Sequence, residues 1–365
     1  MAGRYSFRLF RFMGRHRIIF FLTLLLTLVG LMMIGSASVV DASRDFGDKW
    51  YYLKLQGTWS VIGLTGFIFL SRWSHLKLEK LAKPMFVVTA ALLVLVLIPG
   101  IGTKLLGARR WINFGFFNLQ PAELAKFTMS IYLSAVLKKS SNFIHYLIPV
   151  GLYCSLIMLE PDLGTSLVLG FSSLIIYFGV TGKIGKLFAL APLLILVVIA
   201  IIIFSPYRAA RLKTFFDYSH DPLGSSYHIR QALLAVGSGG LTGVGIGQSH
   251  QKYEFLPEVT TDSIYAILGE ELGFIGAVGL LGIYLVLISV GFQIAGKAKN
   301  RFSANLALSI TSVVGVQSLL NISAIIALVP LTGIPLPFIS YGGSSLLIVL
   351  LSMGVLVNIA RSEKI

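Results

Sequence analysis

Charge is what this sequence has least of. Only 12% of its 365 residues are Asp, Glu, Lys or Arg, while 56% are hydrophobic; a soluble domain carries about 25% charged residues. Thirty basic and 15 acidic side chains cannot cover the water-exposed surface of a chain this long, so part of the solvent is lipid. Cysteine is nearly absent too. The lone Cys154 excludes an intramolecular disulfide and any multi-cysteine metal or cluster site, and inside its apolar run it reads as a small buried hydrophobe. The six histidines form no His-x-x-x-His or His-Glu-x-x-His pair. His16, His75 and His145 read as ordinary interface residues near one face; His220, His228 and His250 fall on the other and are weak metal candidates.

Apolar length is present in excess. A spanning helix needs about 20 mostly apolar residues. Runs bounded by Gly, Pro or charge place spans near 18–38, 53–70, 85–99, 121–137, 143–159, 163–180, 187–204, 264–295, 303–329 and 336–360. The expected fold is an all-α polytopic membrane protein of about ten transmembrane helices, a single domain over residues 1–365. Arg4, Arg8, Arg11, Arg15 and Arg17 ahead of Ile18 imitate a secretory signal. The 17-residue apolar run that follows exceeds the ~7–15 residues of a signal core, so it is read as an uncleaved first span.

A formal charge of +15 would suit nucleic acid if the bases shared a face, but they sit in short loops between apolar runs. With the N-terminus in the cytoplasm, the cytoplasmic pieces hold 18 of the 30 basic residues and only Glu79 and Glu363 of the 15 acids. This positive-inside bias places both termini in the cytoplasm. Connectors 99–120, 159–163 and 205–263 and the 330–340 turn then face the extracytoplasmic side.

The chemistry-bearing residues gather in those connectors. The long loop 205–263 between spans seven and eight is far above usual lengths, and such loops are functional or disordered; its Tyr, Phe and Leu content argues for order. Residues 226–236 have helical periodicity with one apolar side, suiting an interfacial helix. Gly243–Gly247 lacks the Lys-Ser/Thr of a phosphate loop and reads as close backbone approach. Pro257-Glu258-Val259-Thr260-Thr261-Asp262-Ser263 puts carboxylates at the mouth of span eight, which itself carries Glu270 and Glu271. Asp262 is either a helix N-cap or a functional acid. Glu123 and Lys126 share a helix face and either pair structurally or act directly. Arg109 and Arg110 beside Trp111 break the positive-inside bias and suit phosphate. Glu160-Pro161-Asp162 forms a short turn, and Pro335 to Ser345, including Ser344, breaks the start of span ten. One outward-opening cavity is expected to gather these four clusters. Glycines 273, 276, 279 and 282 read as close helix packing.

In this order, GARRWINFG and QPAELAKF (107–127), EPDLGTSL (160–167), DPLGSSYHIRQALLAVGSGGLTGVGIGQSHQKYEFLPE with its following TD (221–262), EELGFIG (270–276) and PLPFISYGGSSLL (335–347) resemble the SEDS family, the FtsW/RodA group. GQSHQK (247–252) is more similar to the FtsW branch. The resemblance implies ten spans in the bacterial cytoplasmic membrane and polymerisation of lipid II at its outer face. It implies Asp262 as the essential acid and a class B penicillin-binding protein as transpeptidase partner, with other division or elongation proteins. The expected roles are Asp262 as general base and Arg109, Arg110, Arg211 and Lys213 toward the diphosphate, with a divalent cation (Mg2+ or Mn2+) as an alternative. Glu123, Lys126, Asp162, Glu258 and Ser344 are expected to shape the cavity. Thr260, Ser263 and Tyr265 depart from the family's usual residues, which puts acceptor positioning there in question. A lipid-precursor flippase and a non-catalytic division scaffold are the rival readings.

Overall fold

A computed structural model describes residues 14–105, 108–115, 117–140, 142–182, 226–253 and 256–363, with 185, 213, 215 and 216 besides. The expected span 187–204 and Arg211 lie outside the described residues. The helices are α1 (Arg15–Ala37), α2 (Val39–Phe46), α3 (Tyr51–Arg72), α4 (Leu76–Leu97), α5 (Pro121–Lys139), α6 (Phe143–Leu159), α7 (Leu163–Thr181), α8 (Tyr227–Ser238), α9 (Ile264–Lys297), α10 (Arg301–Ile325) and α11 (Gly343–Ser362). Seven of them are long and apolar enough to cross a membrane, and the molecule is an all-α polytopic membrane protein apart from one small sheet.

That sheet lies in connector 99–120. Strands β1 (Gly102–Leu105), β2 (Ala108–Asn113) and β3 (Asn118–Leu119) pair antiparallel in the order β1-β2-β3. Pro121, which lacks a backbone donor, then opens α5.

Two apolar clusters form the core. One joins α1, α9, α10 and α11; the other joins α4 to α7. Lipid gives no hydrophobic drive between helices, so close approach of small residues matters. The α3–α11 contact shows it: a Cβ on Gly354 would lie 2.6 Å from the Phe67 carbonyl oxygen.

Residues 264–295 are not one straight span. Gly273, at φ 67° and ψ −168°, breaks α9 into two helices. Tyr265 Oη donates to Ala277 O at 3.2 Å. Twelve residues of straight helix would separate them by about 18 Å, so the halves fold back sharply. The break frees backbone groups at membrane depth, where each must be satisfied by protein. The glycine-rich segment supplies the partners: Val244 N to Glu270 O (3.0 Å), Gly245 N to Glu271 O (3.1 Å), Phe274 N to Gly240 O (2.9 Å) and Ile275 N to Leu241 O (3.1 Å). Gly243 is where the two backbones touch, since a Cβ there would lie 2.1 Å from Glu271 O. Gly279 and Gly282 meet nothing within 4 Å and make no close packing.

The last helix begins at Gly343 rather than 336, and α10 stops at Ile325 rather than 329. Residues 336–342 instead form an irregular segment that enters the bundle. Its depth is set by Gly30 of α1, whose missing Cβ makes room for Phe338 O, 2.1 Å from where that atom would stand. Gly30 precedes Ala37, the α1 terminus, by about 10 Å of helix rise.

Candidate active site and its scaffold

Asp262 is half-buried at the entry to α9. It is not the helix N-cap: that position is Ser263, which makes no capping bond. Ser263 Oγ donates instead to Pro257 O at 3.0 Å and meets His228 Nε2 of α8 at 2.6 Å. Three other elements fix the backbone around the acid. Asn321 Nδ2 of α10 donates to Asp262 O (2.9 Å) and to Ile334 O (2.7 Å). Ser340 Oγ donates to Thr261 O (2.5 Å), and Tyr341 N to Thr260 O (2.8 Å). Gln56 of α3 holds that segment through Ser340 O (3.3 Å) and Gly342 N (3.2 Å). The exposed Glu258, at φ 51°, accepts from Thr261 Oγ1 at 2.8 Å and tightens the turn before Asp262.

The other three clusters join the same network. Lys126 Nζ lies 2.8 Å from Glu123 Oε2 with both side chains buried, and it donates to Gln317 Oε1 at 2.7 Å. Gln317 Nε2 in turn donates to Pro335 O at 2.8 Å. Ser344 Oγ accepts from Gln120 N (3.3 Å) and donates to Asn118 O (2.9 Å), tying α11 to the sheet and to α5. Asp162 caps α7 by accepting from Thr165 N at 2.9 Å and also accepts from Gln120 Nε2 at 3.4 Å. The four clusters are thus joined by hydrogen bonds. A cavity of about 510 Å³ lies between α1, α2, α3 and the 246–253 segment, and Asp262 is not among its lining residues.

Thr103 pairs with Trp111 and Lys104 with Arg109, so Arg110 is the extra residue of a β-bulge, and its side chain is committed to partners of its own. Arg110 donates to Glu160 O (3.0 Å) and Pro161 O (2.5 Å) and closes the α6–α7 turn. The Arg109 side chain, partly exposed, makes no hydrogen bond or ion pair among the described residues. Lys213 is exposed. Beneath Arg110 the Glu160 carboxyl is fully buried, and neither oxygen has a hydrogen-bond partner. Burial, then the Asp162 charge, pushes it up to about 9 against the pull of Arg110, so it is neutral at pH 7.

Glu270 and Glu271 anchor the glycine-rich segment to the short half of α9. Glu270 accepts from Ser249 Oγ (2.5 Å) and His250 N (2.9 Å). Glu271 accepts from Ser36 Oγ of α1 at 2.5 Å and lies 3.5 Å from the buried Lys252 ammonium. Sequence reasoning did not single out Lys252, Ser36, Asn321 or Gln56, because their partners are distant along the chain. At the opposite end of the bundle His75 is no interface residue. It is buried, with its ring nitrogens 2.7 Å from Asn358 Oδ1 and from Ser303 Oγ, and burial holds its pKa below the usual value. Among the described residues no three His, Cys, Asp or Glu side chains form a metal-binding group.

The FtsW/RodA/SpoVE family model, described as a cell cycle protein, matches residues 16–365. The chain belongs to the FtsW/RodA/SpoVE family. It is 38% identical to stage V sporulation protein E of Bacillus subtilis over 94% of this chain and 96% of that protein. It is 39% identical to a probable peptidoglycan glycosyltransferase FtsW of Coxiella burnetii over 93% and 94% of the two. Among solved structures, a chain of one described as "Structural coordination of polymerization and crosslinking by a peptidoglycan synthase complex" superposes with a TM-score of 0.77 at 28% identity, covering 94% of this chain and 97% of that one. The rod shape determining protein RodA of Thermus thermophilus gives 0.68 at 27% identity, covering 94% and 96%. Like others of the FtsW/RodA/SpoVE family, this chain is a multi-pass membrane protein.

Proposed function

We propose that this chain is a peptidoglycan glycosyltransferase that polymerises lipid II into glycan strands at the extracytoplasmic face of the bacterial cytoplasmic membrane, serving division or cell shape. The observation that carries the reading is Asp262: in a chain of this family, a half-buried carboxylate whose backbone is tied to α10 and to the irregular segment before α11. Such fixing is what a positioned base needs, and a positioned base contributes about 10²–10⁴-fold.

In the reaction Asp262 takes the proton of the acceptor sugar's 4-hydroxyl while that oxygen attacks the anomeric carbon of the chain carried on undecaprenyl diphosphate. A carbon–oxygen bond forms on one face as the bond to diphosphate breaks on the other, inverting the centre, and undecaprenyl diphosphate leaves with the electron pair. Arg109, and Arg211 and Lys213 of the long connector, supply positive charge to that leaving group. Arg110, held by carbonyls, positions the turn. Glu123, Lys126, Asp162, Glu258 and Ser344 hold the scaffold. Both termini are cytoplasmic, and a class B penicillin-binding protein cross-links the product.

The test is purified protein, with and without its transpeptidase partner, incubated with lipid II and scored for polymer on gels. Asp262→Ala should abolish polymer while leaving expression and partner binding intact. Polymer made by that variant at the wild-type rate refutes the assignment.

A further inference from the structure

Ser263 follows Asp262 directly and is fully buried. It stands at the N-cap of α9, where a serine hydroxyl ordinarily accepts from the first backbone N–H groups of its helix. Here it makes no such bond. The hydroxyl turns to two other partners, Pro257 O at 3.0 Å and His228 Nε2 of α8 at 2.6 Å. Counting protons fixes the direction of both bonds. A serine hydroxyl owns one proton and a carbonyl oxygen only accepts, so that proton lies toward Pro257 O. The second bond must then take its proton from the ring: His228 is protonated at Nε2 and donates to Ser263 Oγ.

The junction joins three pieces of chain. The turn before α9 is closed by Thr261 N and Ser263 N, which both donate to Glu258 O, at 3.2 and 3.1 Å. α8 is seated by its buried face of Ile229, Ala232 and Ala235, and at Gly239, where a Cβ would lie 2.1 Å from Gly269 O of α9. His228 therefore reaches Ser263 from a helix that is itself packed on the short half of α9. Asn321, Ser340 and Tyr341 hold the backbone of residues 260–262; His228 holds the residue after the acid, from a different helix. The link needs a hydroxyl at 263, one of the positions at which this chain departs from the residues usual in its family.

We propose that His228 is a positioning residue for glycosyl transfer: its Nε2–H, through Ser263, sets where the Asp262 carboxylate stands. The proposal rests on the glycosyltransferase reading and adds a residue of the long connector to the apparatus that holds the base. The proton of the sugar hydroxyl still goes to Asp262.

The test changes the donor and keeps the helix. The amide nitrogen of glutamine stands as many bonds from Cα as Nε2 does, that of asparagine falls one short, and leucine has no donor. Polymerisation of lipid II, with the transpeptidase partner present, is measured for His228→Gln, His228→Asn and His228→Leu. The asparagine and leucine variants should lower kcat about tenfold, the worth of one buried hydrogen bond, with KM unchanged, and His228→Gln should recover most of the rate. In a chain that already carries Ser263→Ala, His228→Leu should cost nothing further. Unchanged kcat in His228→Leu, equal losses in the glutamine and asparagine variants, or losses that multiply in the double variant overturn the proposal. A lowered unfolding midpoint with kcat intact makes the histidine structural and also overturns it. If wild-type protein makes no polymer, the glycosyltransferase reading fails instead. The rate at which a water-soluble carbodiimide labels Asp262 in wild type and in His228→Asn, read by mass spectrometry, then decides the link separately: a changed rate supports it, and an equal rate removes it.

Discussion

Replacing Gly243 by alanine tests the account of the broken α9 helix. Gly243 sits at φ 81° and Gly247 at φ 80°, so a methyl group at either position carries the same left-handed cost of about 1–2 kcal/mol. Their surroundings differ. At Gly247 an added Cβ meets nothing within 4 Å, whereas at Gly243 it lies 2.1 Å from Glu271 O and 2.7 Å from Gly273 N. Those atoms are backbone and cannot rotate away, so the segment must lift. Lifting it breaks the bonds from Val244 N to Glu270 O and from Gly245 N to Glu271 O. A buried backbone group left without a partner costs about 1–3 kcal/mol. Gly243→Ala should therefore lose about 3–8 kcal/mol, and Gly247→Ala only the conformational part. Thermal unfolding of both variants in detergent, followed by near-UV circular dichroism, reads the difference. Equal destabilisation would show that the two backbones do not press together at Gly243.

Three further outcomes follow from the same geometry. Asn321→Ala releases both Asp262 O and Ile334 O, and because a misplaced reacting group costs about 10²-fold, kcat for polymerisation should fall by roughly that factor with KM little changed; a KM effect alone would remove Asn321 as a positioning residue. Lys126→Met strands Glu123 at 1% exposure, a loss of about 3–5 kcal/mol, and Glu123→Gln in the same chain should restore much of it; a double variant no better than the single one shows that pairing is not what the lysine does. Glu160 tests pH dependence. With its carboxyl held up to about 9 and an unfolded value of ~4.3, the folded state keeps a proton that the unfolded state loses between them. Stability therefore falls as pH rises through that window, by up to about 1.4 kcal/mol per unit, and Glu160→Gln should flatten the slope of the unfolding midpoint. An unaltered slope would place the titration on another group.

The helices were legible in the sequence because twenty-residue apolar runs need no partner to be recognised, as α1, α4 and α7 show. The broken α9 also leaves a signal in the sequence. A run of 34 residues would stretch to about 51 Å as one helix, against a hydrocarbon core of about 30 Å, so a break was required, and Gly273 is the residue that permits it. The small sheet left no such trace: its strands are two to six residues long and carry no clear alternation. The scaffold around Asp262 was the least legible part. Gln56 and Ser340 stand 284 residues apart, and no periodicity records a bond between them. Lys252 drew no notice for a related reason, since a lysine in a polar loop looks solvated until the fold buries it at 4% exposure.

The irregular segments and the candidate site coincide for one physical reason. Inside a membrane, non-helical backbone survives only where protein satisfies every donor and acceptor. Both the glycine-rich segment and residues 336–342 find partners on the segment that carries Asp262: the first at Glu270 and Glu271, at the far end of the short half of α9, the second at Thr260 and Thr261 beside the acid. The same bonds that make broken backbone tolerable there also hold one carboxylate still. A variant that restored continuous helix at Gly273 would thus cost the chain more than flexibility. It would remove the partners of four backbone groups and loosen the helix start that carries Asp262 with them.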